Sequence, residues 1–166
     1  MSKVALKKEL MSLSHDQLVQ VVMDAYNANK EFKEYFNFFL NPDVKKLHEK
    51  HVETVAKEIR RSKYSYSKMR VTVVKNAVKR FMGFNPGPEA VLEMLLATLW
   101  QVGVGERYLN FNESQIRYAT TLTQQIMRYA DEHQMASTAI ERLAAIANHS
   151  GLTVYFRDHV RDGLST

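Results

Sequence analysis

Apolar positions recur every three or four residues along nearly the whole chain, and short polar, proline- or glycine-bearing breaks separate the runs. That spacing gathers apolar side chains on one side of an α-helix. The first clear helix opens at Ser14. Ser14 and Gln17 have the spacing of a capping box, with Leu13 and Leu18 as the hydrophobic staple around it. Leu18, Val21, Val22, Ala25 and Tyr26 then form its apolar side. A shorter helix over 3–11, carrying Val4, Leu6 and Leu10, precedes it.

An aromatic run follows, in which Phe32, Phe36 and Phe39 share one helical face while Tyr35 and Phe38 widen it. Asn41-Pro42-Asp43 reads as a stop and restart, with Asn41 as N-cap and Pro42 as the first helical residue. The next helix carries Val44, Leu47, Val52, Val55, Ala56 and Ile59 and ends near Arg61. A polar connector over 62–67 leads to a helix over 68–82 that buries Val71, Val74, Ala77, Val78 and Phe81. Lys68, Thr72, Lys75 and Lys79 lie along its other side.

Gly83-Phe84-Asn85-Pro86-Gly87 is a turn, and Pro88 opens a helix over about 88–102. Between Ala90 and Val102 only Glu93, Thr98 and Gln101 are polar. A helix without a polar face is surrounded by others, so this is the expected central element, weakened beyond Val102 by Gly103 and Gly105. Asn112 and Gln115 give a second capping box, stapled by Phe111 and Ile116. The helix they start carries Ile116, Ala119, Leu122, Ile126 and Ala130. A further helix opens at Thr138 and buries Ile140, Leu143, Ala144 and Ala147 before Gly151, the expected left-handed cap. A last short helix is expected within 152–164.

These elements predict an all-α fold. The expectation is a single domain over 1–166, with about seven to eight helices in stacked antiparallel hairpins or a bundle around the central helix. Composition agrees. The chain has 166 residues, 45% of them apolar, and only 3 Pro and 6 Gly, too few turn formers for an all-β protein of this length. With no Cys, disulfides, zinc–thiolate sites and thiol nucleophiles are excluded. Lys7, Lys8 and Glu9 interrupt any signal-like apolar core, and no run approaches the roughly 18 apolar residues of a membrane span. A cytoplasmic protein without a membrane partner is expected.

Charge adds one feature. From Lys57 to Arg80 the segment carries +8 against the chain's +5, which leaves −3 for the remainder. Arg60, Arg61, Lys63, Lys68, Lys75 and Lys79 are the candidate anion-binding residues, with Tyr64 and Tyr66 between them as candidate stacking groups. No helix-turn-helix, RNA-recognition or zinc-finger pattern accompanies them, and a solvated face paired with acids such as Glu49 and Glu53 is the favoured reading of such a stripe.

Three stretches resemble one family. They are Leu6-Lys7-Lys8-Glu9-Leu10 with Leu13-Ser14 and Gln17-Leu18, the basic stretch around Arg60-Arg61, and the Gly83-to-Glu89 turn before the apolar helix. Their placement and the order of elements are similar to those of a family of uncharacterised bacterial all-helical proteins, domain of unknown function 6155. Gly87 between the prolines departs from that family's simpler Asp-Pro-Glu pattern. The resemblance implies an all-helical fold and a bacterial source, and it implies no activity.

No catalytic constellation is visible. Gly-x-Ser-x-Gly, phosphate-binding glycine loops and the dinucleotide fingerprint are all missing. His48 and His51 stand three apart, not four, beside Lys50, and read as ordinary surface histidines and not as metal ligands. No cofactor is expected. The aromatic run offers a candidate interface in Phe32, Tyr35, Phe36, Phe38 and Phe39. Aromatics at helical spacing usually belong to a core, but a helix apolar on two sides must cover both. A homodimer using part of this run is therefore expected. The leading functional expectation is a non-catalytic helical interaction or scaffold protein. The alternatives are a low-specificity nucleic-acid or polyanion binder acting through 57–80, and an enzyme of unrecognised type.

Overall fold

The computed structural model describes residues 1–61, 69–109 and 111–165. Among them all regular structure is helical, in nine helices, so the all-α expectation holds and the count exceeds the seven to eight expected. The excess comes from the two ends, where Lys3–Ser12 and Val154–Leu164 are complete helices. Each has its own cap: Ser2 Oγ accepts from the Ala5 N–H at 3.2 Å, and Thr153 Oγ1 accepts from the Phe156 N–H at 3.1 Å.

The chain divides into two compact units, Met1–Asp43 and Val44–Thr166. The first holds α1 (Lys3–Ser12), α2 (His15–Ala28) and α3 (Lys30–Leu40). The Ser14 capping box forms as its spacing predicts: Ser14 Oγ accepts from the Gln17 N–H at 3.2 Å, and Gln17 Oε1 accepts from the Ser14 N–H at 2.9 Å. Asn29 caps α2 and opens α3, its Oδ1 accepting from the N–H groups of Glu31 at 2.8 Å and Phe32 at 3.0 Å. Asn41 closes α3 instead of opening the next helix, because its N–H donates to the Asn37 carbonyl at 3.0 Å. Pro42 accordingly lies outside both helices.

The second unit holds α4 (Val44–Arg61), α5 (Val71–Gly83), α6 (Pro88–Leu109), α7 (Glu113–Glu132), α8 (Ala136–Ala147) and α9 (Val154–Leu164). Helix α6 packs on α4, α5, α7 and α8, and α9 packs on α7 and α8. Its sequence explains that position: Leu92, Met94, Leu95, Leu99 and Val102 are all buried. Thr98 is buried as well, and its hydroxyl donates to the Met94 carbonyl at 2.8 Å, so no polar group is stranded there.

Helix α6 runs to Leu109, not to about 102, and the reason is the two glycines. A Cβ on Gly103 would lie 2.6 Å from the Phe156 ring, and one on Gly105 would strike Ile59. Both are buried contact points where a neighbouring side chain presses on the helix backbone. Their packing outweighs the roughly 1 kcal/mol helix-propensity cost of each glycine. Gly163 serves α9 in the same way, against Thr123 of α7. The turn before α6 places Asn85 at φ 53° and Gly87 at φ 102°, and the second position favours glycine. Gly151 is not left-handed; α8 ends instead on Asn148, whose N–H donates to the Ala144 carbonyl at 3.1 Å. In α8 the buried set is Ala139, Leu143 and Ala147, while Ile140 is exposed.

Candidate interaction surfaces

No residue of Met1–Asp43 is buried. Within that unit the aromatic side chains of α3 stack on one another and on α2. Phe32 and Phe36 lie with ring centroids 5.6 Å apart at 23°, and Phe36 and Phe39 6.0 Å apart at 39°. Tyr26 of α2 meets Phe36 edge-on at 6.4 Å, and its hydroxyl donates to Asn37 Oδ1 at 2.9 Å. Lys33 Nζ sits 5.1 Å from the Tyr26 ring centre. These contacts cover part of the aromatic surface. Phe32, Phe36 and Phe38 are half-buried, whereas Tyr35 is 41% and Phe39 66% exposed. Val19, Val21 and Met23 of α2 and Leu40 of α3 are exposed too. Isolated apolar residues on a surface are ordinary, but an aromatic cluster of this extent on one unit is not.

The basic residues fall on separate elements. Arg60 is on α4, where its Nη2 bonds Glu53 Oε2 at 2.8 Å; Lys57 reaches the same carboxylate at 3.8 Å. Lys75 and Lys79 are exposed on α5. Lys75 Nζ stands 5.4 Å from the Tyr118 ring centre. Lys63, Lys68, Tyr64 and Tyr66 lie outside the described residues, as does the side chain of Arg61. Glu58, the one acid of the basic segment, is buried. Its carboxylate accepts from Arg70 three times: the backbone N–H at 3.0 Å, Nε at 2.9 Å and Nη2 at 2.8 Å. This arrangement ties the residue preceding α5 to α4, and hydrogen bonding to Glu58 raises the Arg70 pKa further. Gln115 makes a similar tie, since its Nε2 donates to the Met69 carbonyl at 2.8 Å while its Oε1 completes the α7 capping box.

Tyr118 is buried under Lys75, and burial pushes its phenol up to about 12. An unfolded tyrosine titrates near 10. The raised folded value therefore favours folding in full below about pH 10, and that contribution is lost as pH rises through about 12. The shift corresponds to roughly 3 kcal/mol. Urea unfolding at rising pH is expected to show a steeper alkaline loss of stability in the wild type than in Tyr118→Phe. Parallel losses would remove Tyr118 as the cause.

His48 and His51 are not surface groups. His51 is buried, with Nδ1 at 2.9 Å from the Leu47 carbonyl, and His48 is half-buried. Both rings meet Phe81 edge-on, at 5.9 Å for His48 and 5.5 Å for His51. Positions 44, 47, 48, 51 and 55 share the inward side of α4, so the pair points at α5 and not at water. No set of three potential metal-binding side chains occurs among the described residues.

One surface is not legible in the sequence pattern. Although α6 reads as enclosed on all sides, Glu93, Ala97, Gln101, Val104 and Tyr108 form a partly open stripe along it. Two depressions border this stripe and meet at Gln101. One, of about 270 Å³, lies toward α8, between Trp100, Ile146 and the ion pair in which Arg142 holds both Glu93 oxygens at 2.7 and 3.0 Å. The other, of about 480 Å³, lies toward α4, between Ile59, Arg60, Val104 and Tyr108. The signal was present as two polar residues and two small ones at helical spacing. A run of apolar neighbours hid it.

An all-helical protein with apolar surfaces and no recognised chemistry is the class these observations define. The chain matches, over residues 1–158, the Family of unknown function (DUF6155), and it belongs to that family. No curated protein and no solved structure matches it. No helix among the described residues is long and apolar enough to cross a membrane.

Proposed function

We propose that this protein is a non-catalytic helical interaction protein that associates as a homodimer through the aromatic face of α3. The observation that carries the reading is that Met1–Asp43 contains three helices and no buried residue. A segment of this size rarely holds its structure alone, because too little of its apolar surface leaves water. Covering Phe32, Phe36 and Phe39 with another apolar surface supplies further burial. A second copy is the partner guaranteed to be present wherever the chain is made, and an isologous contact closes on itself.

The test is the mass of the full chain by light scattering from low to high micromolar concentration. The wild type is expected to move from monomer to dimer. Phe39→Glu, at an exposed position, is expected to leave the helical content unchanged and keep the chain monomeric. A wild type that stays monomeric throughout would reject the homodimer.

Polyanion binding through 57–80 is the competing reading, and Arg60 being engaged by Glu53 favours the solvated-face explanation. Mixed-sequence DNA or RNA is accordingly expected to show only weak, easily screened attraction at physiological salt. Binding whose log–log salt slope flattens by about two units on replacing Lys75 and Lys79 would instead support the polyanion reading.

A further inference from the structure

We draw no further inference here: the strongest candidate, the depression between α4 and α6 walled by Ala56, Ile59, Val104 and Tyr108 with Arg60 at its edge, is an apolar face and nothing in the structure shows what covers it.

Discussion

Phe156→Ala is expected to lower the unfolding free energy by about 3–5 kcal/mol, the range for removing a fully buried phenyl group. Phe156 has no exposed surface and is the side chain pressed against the Gly103 backbone of α6. Its burial fastens α9, whose other buried anchors are Val160 and Gly163. Truncation removes the transfer energy of the ring and opens a cavity against the Gly103 backbone of α6. Urea or thermal unfolding of the full chain measures the loss. A cost of about 0.5 kcal/mol or less would mean that α9 does not pack as described.

Leu95→Ala is expected to cost about 2–5 kcal/mol. Leu95 is wholly buried at the middle of α6, with Met94 and Leu99 also at zero exposure near it. The range is wide because the penalty depends on how far the surroundings relax, and a close-packed site relaxes little. The site is on α6 and not on α3, so dimer formation at a concentration where the variant is folded is expected to be unchanged. A variant that unfolds like the wild type would show that α6 is not the core of its unit.

Much of this architecture is legible in the residues themselves. The capping boxes at Ser14 and Asn112 form where their spacing predicts, because the signal is local and is satisfied within one turn. The inward set of α7, from Ile116 to Ala130, is buried as its period requires. The departures come where a distant contact decides. Gly103 and Gly105 weaken a helix considered alone, yet here they admit Phe156 and Ile59, and α6 continues past them. Asn41 fits either end of a helix, and the reach of its N–H to Asn37 selects the C-terminal role. His48 and His51 turn inward because Phe81 and Phe84 of the following segment offer ring edges, a fact absent from their own neighbourhood.

The candidate surfaces follow the same division. The aromatic run announces an apolar face but not how much of it α2 covers, since that depends on the Tyr26–Phe36 packing. The groove on α6 is invisible in a one-dimensional pattern, because its walls include Ile59 and Arg60 of α4 and Arg142 and Ile146 of α8, which lie far from α6 in sequence. The basic residues are plain in the sequence; that Glu53 takes Arg60 while the buried Glu58 takes Arg70 is tertiary information.

Amide hydrogen exchange measured as a function of protein concentration tests the proposed association most directly. Exchange follows the free energy of local opening, and dimerisation adds stability that grows with concentration. If the α3 face is covered by a second copy, the amides of α2 and α3 exchange more slowly as concentration rises through the dimerisation range, while buried amides of α7 change little. Exchange in Met1–Asp43 that is the same at low and high micromolar concentration would contradict the proposal that this face is an interface between two copies.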